Sequence, residues 1–331
     1  MAYSSGGLIE ATDYNNFVGT SPSGTANRIN TIWAVGNGSA GYGQTALSTV
    51  SAAGLVTATQ WATVVNTLNS IKTHQDGSGT GIGAPTAGTL ISYLATFSSS
   101  LGTAYTEVNR LTAATNGTDI TGAAPAATTW NTATPTTQQI TRTATFASAD
   151  QARYFWNAGG KLVLTFSCVN TLGNAKGADW LSLLDTKFAS IVVGSATNGG
   201  RTGTGGTVSA SDLTLGYWDC TTSNQSIVTL TSASGTADYS SNSVAVGIKT
   251  NGVQGANADV GTVFTFTIDL TDAAADTNTA PPGIPVYVPA GIAPTQGAFN
   301  DGLNLAITTN ITVRPPETTN LANSWGTVTI A

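Results

Sequence analysis

The sequence predicts an α+β protein, an N-terminal helical region followed by an antiparallel β-rich, sandwich-like domain. Three observations carry this. Up to residue 112 apolar residues recur at steps of three and four, the period of a helix face. Beyond residue 138 the chain breaks into short runs in which apolar and polar residues alternate, separated by Gly, Asn and Pro. Two Ser/Thr-x-x-Gln boxes, Thr57–Gln60 and Ser148–Gln151, stand where helices should begin. The expected divisions are 1–112, a helical anchoring and oligomerisation region; 113–138, a linker or extended arm; and 139–331, the β-rich domain.

The clearest helix starts at the Thr57–Gln60 box. Trp61, Val64, Leu68 and Ile71 share one face, Lys72 and His74 fall in the last turn where positive charge suits the dipole, and Asp76-Gly77 ends it. A second helical pattern runs over 89–112. Leu90, Leu94, Phe97, Leu101, Ala104, Val108 and Leu111 follow the a/d rhythm of a coiled coil, interrupted by Gly102. The same spacing serves an amphipathic helix packed on its own domain, so both readings stand. Leu90, Leu94, Phe97, Leu101, Val108 and Leu111 are the candidate oligomer-interface residues.

The stretch 113–138, rich in Ala, Thr, Pro and Gly, shows little periodicity. Strands are expected at 140–146, 161–168, 190–193, 227–231, 244–249, 263–270, 284–288, 305–313 and 327–330. Short helices are expected at 151–157, stopped by Gly159-Gly160, and at 179–188. Asn251-Gly252 marks a hairpin turn.

Composition narrows the chemistry. Only 8% of the 331 residues are charged, against about a quarter in an ordinary soluble protein, and His74 is the sole histidine. Acid–base and nucleophilic catalysis thus have few side chains to draw on, and no enzyme is expected. His74 reads as a surface residue at a helix end. Asp269, Asp272 and Asp276 read as an exposed strand-end turn; a carboxylate pair for glycoside hydrolysis or a calcium site is the alternative. Cys168 and Cys220 read as buried thiols, a disulfide being the other option. The glycine runs at 77–83 and 198–206 lack the strand, helix and Lys of a phosphate loop and read as flexible loops. No cofactor or metal is expected.

Five Lys and six Arg are scattered singly in a chain of net charge −6, so nucleic-acid binding by charge neutralisation is not expected. No run approaches the ~18 apolar residues of a membrane span, and the first residues lack a signal-peptide pattern. Membrane insertion and export are not expected. Trp33, Tyr42, Tyr217, Trp218 and Trp325 lie beside Gly or Asn, outside the apolar periodicity. Trp33, Tyr217, Trp218 and Trp325 are the candidate glycan contacts, partial burial under loops being the alternative.

Several segments resemble a known group. Leu8-Ile9-Glu10-Ala11-Thr12-Asp13-Tyr14-Asn15, Ile32-Trp33 with Gly41-Tyr42-Gly43-Gln44, Val56-Thr57-Ala58-Thr59-Gln60-Trp61 with Thr73-His74-Gln75, and Ala152-Arg153-Tyr154-Phe155-Trp156-Asn157-Ala158-Gly159-Gly160-Lys161-Leu162 are similar to blocks in uncharacterised virion structural proteins of tailed bacteriophages. The resemblance implies a virion component made in the host cytoplasm, of the neck, collar or tail fibre. The expected partners are copies of itself as a homotrimer and other neck or tail proteins. A host surface glycan, through receptor recognition, and a tail tube or decoration role are the alternatives. The resemblance brings no catalytic residues.

Overall fold

The computed structural model describes residues 10–19, 28–34, 38–89, 94–107, 116–123, 125–132, 136–195, 198–212, 214–232, 239–254, 260–273 and 302–331. The N-terminal region comprises α1 (Ala11–Val18), α2 (Ile29–Trp33), α3 (Ala58–Asp76) and α4 (Leu94–Thr106). α3 begins at its capping box: Gln60 N–H donates to Thr57 Oγ1 at 3.2 Å, and Thr57 N–H donates to Gln60 Oε1 at 2.8 Å. It ends at Gly77, whose φ of 78° is strained for any residue with a side chain. Trp61, Val64, Val65, Leu68 and Ile71 form its buried stripe.

α4 packs against this stripe and α1. Phe97 meets Phe17 edge-on at 5.1 Å and tilts on Trp61 at 6.0 Å. Phe97, Leu101 and Ala104 are buried within the chain's own core. This corrects the assignment of Phe97 and Leu101 to an oligomer seam: heptad spacing presents one apolar face, and here α1 and α3 cover it. Leu90, Val108 and Leu111, and the side chain of Leu94, lie outside the described residues.

The rest of the chain forms twelve strands among the described residues: β1 (Ile120–Thr121), β2 (Thr128–Thr132), β3 (Thr137–Thr145), β4 (Lys161–Asn170), β5 (Ser190–Val193), β6 (Asn198–Arg201), β7 (Thr207–Ser211), β8 (Gln225–Thr231), β9 (Ser243–Thr250), β10 (Val263–Thr271), β11 (Leu303–Arg314) and β12 (Thr329–Ile330). They make two six-stranded antiparallel sheets. One runs β1–β11–β4–β5–β6, with β2 also on β11; the other runs β12–β3–β10–β9–β8–β7. Alternate residues of β11 (Leu303, Leu305, Ile307, Thr309, Ile311 and Val313) turn inward, as do Phe264, Phe266, Ile268 and Leu270 of β10. This is the sandwich-like layering that period-two alternation predicts. Thr309 interrupts the apolar row; beside it Arg142, from β3 in the other sheet, donates to the Thr309 carbonyl at 2.9 Å. Buried apolar residues of the helical and β regions form one cluster.

Three further helical pieces connect the strands: α5 (Ala149–Asn157), α6 (Ala175–Leu181) and a π-helical stretch over Ser182–Phe188. α5 has the expected cap, with Gln151 N–H donating to Ser148 Oγ at 3.1 Å. The helix expected at 179–188 starts earlier, at Ala175, because Asn174 Oδ1 accepts from Gly177 N–H at 2.9 Å.

Other expectations change. The described part of 113–138 is extended chain laid along its own β domain: β1 and β2 pair with β11, and Asn116 bridges Pro316. The second glycine run is not wholly loop, since Asn198–Arg201 pairs with β5. The expected hairpin turn at Asn251-Gly252 opens a longer connection, in which Asn251 Oδ1 accepts from Thr262 and Val263 N–H. The strand expected at 284–288 lies outside the described residues. Cys168 and Cys220 are separate buried thiols. Burial, with Asp185 and Asp219 nearby, pushes each up to about 12.

Candidate functional site

The candidate residues do not converge on a reactive centre. His74 is buried, not a surface helix end. Its Nδ1 lies 2.9 Å from Glu317 Oε1 and its Nε2 lies 3.0 Å from the Ala158 carbonyl. The ring is thus held between a carboxylate and a backbone carbonyl. Glu317 Oε2 also accepts from Asn320 N–H at 3.0 Å, and Oε1 from Asn320 Nδ2 at 3.2 Å. Burial pushes the Glu317 carboxyl up, but the bonds from His74, Asn320 and Thr319 together outweigh it and hold it at about 2.

His74 is the centre of a polar junction between the helical region and the β domain. Gln75 Nε2 donates to the Tyr42 hydroxyl at 2.9 Å and to Ala104 O at 2.8 Å. Gln44 Nε2 donates to Ala322 O at 2.8 Å, and Ala322 N–H returns a bond to Gln44 Oε1 at 2.8 Å. Asn157 Nδ2 reaches the carbonyls of Gly38 and Gly41. Gly43, at φ +69°, lies so close to the Tyr154 ring that an added Cβ would sit 2.4 Å from it. These contacts fasten α3 and the 38–44 loop to α5 and to the segment after β11. Such an arrangement holds parts together.

The aromatic candidates divide. Tyr42, Tyr217 and Trp325 are buried, which corrects their placement at the surface and removes Tyr217 and Trp325 as open platforms for sugar rings. Loops that look polar in sequence fold these rings inward because each carries a large apolar area. Tyr217 stacks on Trp156 at 5.5 Å. Trp33 and Trp218 are half-buried; Trp33 Nε1 donates to Thr45 O at 3.1 Å, and Trp218 lies edge-on to Tyr217 at 4.5 Å. Trp325 borders a cavity of about 250 Å³ with Ile120, Val313, Pro315, Pro316 and Val328. That is below the ~300 Å³ where small-molecule sites begin.

The acidic trio is not assembled either. Asp269 accepts from Gln139 Nε2 at 2.7 Å. Asp272 is buried, not exposed at a turn, and pairs with buried Lys176 at 2.7 Å. Asp276 lies outside the described residues. Among the described residues no group of three His, Cys, Asp or Glu side chains could hold a metal ion, and no helix is long and apolar enough to cross a membrane.

What sequence reasoning missed is where the scarce charges go. Lys176 and Asp179 both project from α6 into the interior. Ser232 Oγ donates to Asp179 Oδ1 at 2.7 Å, and Lys187 Nζ donates to Ser232 O at 2.8 Å. Lys72 bonds Glu107 at 3.2 Å between α3 and the end of α4. Arg201 donates to the carbonyls of Lys187 and Gly203. Arg314 forms a two-pronged pair with Asp119 at 2.9 and 3.0 Å, fixing the 116–121 arm to β11. Lys72, Lys176, Lys187 and Arg314 thus tie together segments distant in sequence. Compared with family models, curated proteins and solved structures, the chain matches none.

Proposed function

We propose that this chain is a structural subunit of a tailed-phage virion, a non-catalytic neck, collar or tail fibre component that packs against copies of itself and neighbouring particle proteins. The observation that carries the reading is the division of polar groups. Charges are scarce at 8% of the chain, Lys72, Arg153, Lys176, Asp179, Asp272 and Glu317 are buried, and the exposed positions among the described residues are mostly Ser, Thr, Ala, Gly and Asn with a few carboxylates. Neutral polar groups cost less to desolvate than charges, so such a face suits repeated contact between subunits. The segments similar to virion proteins point the same way.

Phe97 and Leu101 are covered within the chain and are not the seam in this reading. Contact through the outer β surface takes its place.

The test is proteomic. Particles purified on a density gradient from the phage that encodes the chain, digested and quantified against the major capsid protein, should contain it in multiple copies. Its recovery only in the lysate supernatant, with none in particles, would overturn the reading.

A further inference from the structure

Lys176 and Asp272 meet inside the molecule with 1% and 0% of their side chains exposed, and Lys176 Nζ lies 2.7 Å from Asp272 Oδ2. In each of the other Lys or Arg ion pairs among the described residues, at least one partner keeps a tenth or more of its side chain exposed. An exposed partner keeps part of its hydration. Here neither side chain does, and two desolvated charges are expensive to hold in a low-dielectric interior even when paired. Burial favours the neutral forms of both groups, and passing the ammonium proton to the carboxylate reaches them in one step. The result is an amine in contact with a carboxylic acid, the two reactants of an amide.

We propose that Lys176 and Asp272 join in an intramolecular isopeptide bond. Neutral Nζ attacks Asp272 Cγ and a C–N bond forms. One C–O bond of the acid then breaks, and its hydroxyl leaves with a proton from the nitrogen as water. Ammonium plus carboxylate gives amide plus water, so the reaction needs no oxidant, reductant or co-reactant. The fold replaces an encounter in solution by fixed contact, which removes most of the entropic barrier. A third carboxylate stands in the same polar core. Asp179, one turn along α6, turns inward as Lys176 does. Its partner Ser232 donates N–H to Asn242 O at 2.8 Å, and Asn242 Oδ1 accepts from N–H of Ala273, the residue after Asp272. Asp179 Oδ2 is buried without a hydrogen-bond partner, so it is available to relay the proton from nitrogen to the leaving oxygen.

The bond would fasten one layer of the sandwich to the other. α6 packs on β4 and β11 of the first sheet, and Asp272 follows β10 of the second. Like a disulfide, such a link restricts the unfolded chain, but it does not depend on an oxidising compartment. Cys168 and Cys220 do not supply that restraint, since they remain separate thiols. The inference does not rest on the reading as a particle subunit.

Intact-mass spectrometry of the purified full chain, denatured before measurement, tests this. The parent should weigh one water less than its sequence requires, and digestion should release a branched peptide holding both residues. Lys176→Arg keeps the positive charge without the reactive amine and should show the full sequence mass. Asp179→Asn should slow closure, giving an unlinked fraction in freshly made chain about tenfold above that of the parent, the effect expected when a positioned proton carrier is removed. A parent at its full sequence mass would overturn the bond. So would a water loss that persists in Lys176→Arg, because that places the dehydration elsewhere, as when an aspartate closes on its own backbone. An Asp179→Asn chain linked as completely as the parent would overturn the relay. The readout is mass and not melting, so it stays separate from the cost of leaving one charge of the pair unpartnered.

Discussion

Glu317 and His74 stand 243 positions apart in sequence and meet in one buried contact. The Glu317 carboxyl is held at about 2, against an ordinary 4.5. A carboxyl depressed on folding contributes stability that is complete above its unfolded value and is lost as pH falls through its folded value. Acid should therefore loosen the junction between about pH 4.5 and 2, by about 3 kcal/mol across that window. Thermal melts of the parent and of Glu317→Gln over this range check it. The variant should be less stable at neutral pH and show a shallower acid slope. Parallel slopes would mean that other depressed carboxyls, such as Asp76 and Asp119, carry the pH dependence. One signal for His74 was present in the sequence. With Ile71 on the apolar stripe of α3, positions three and four further on, His74 and Gln75, fall on the same stripe and are buried with it. The identity of its partner had no local signal, because nothing near α3 points to a glutamate beyond β11.

At the scale of elements, α4 shows how one pattern admits two geometries. Its heptad rhythm was legible; the surface that covers it was not, since a/d spacing describes a face and not its neighbour. Phe97 fills the space between Phe17 and Trp61. Phe97→Ala should cost about 3–5 kcal/mol and Leu101→Ala about 2–5 kcal/mol, measured by denaturant unfolding. Light scattering should give the same mass for each folded variant as for the parent. A variant that loses mass but keeps its melting temperature would return these residues to an oligomer seam. The helix starts at Thr57 and Ser148 were readable because capping is local chemistry. Strands such as β2 and β6 were not, because short edge strands containing Asn, Gly or Thr take their conformation from the neighbour they pair with.

Over the whole molecule the two-part plan and the alternating sheets were legible from periodicity alone. The cross-ties were not, because each joins residues far apart in the chain. Lys176 and Asp272 are the deepest of these ties, linking α6 to the end of β10. Lys176→Ala would leave the Asp272 carboxylate buried beside the vacated position, and removing one partner of such a pair typically costs about 3–5 kcal/mol. Lys176→Met with Asp272→Leu should recover much of that loss, since matched apolar replacement of a buried pair is often neutral. Melting of the single and double variants measures both. A double variant no better than Lys176→Ala would mean that the pair supports the α6 contact by more than relief of an unpaired charge.

The engagement of several cations by the fold has a consequence for survival outside a cell. Digestive proteases of the trypsin class recognise a Lys or Arg side chain on a strip of chain loose enough to enter their cleft. Here Lys176, Lys187, Arg142, Arg153, Arg201 and Arg314 are engaged with carboxylates or carbonyls of the fold, so their recognition marks and the slack needed to present them are withheld together. Cleavage at these six positions should thus proceed through transient opening, at a pace set by the stability of the fold.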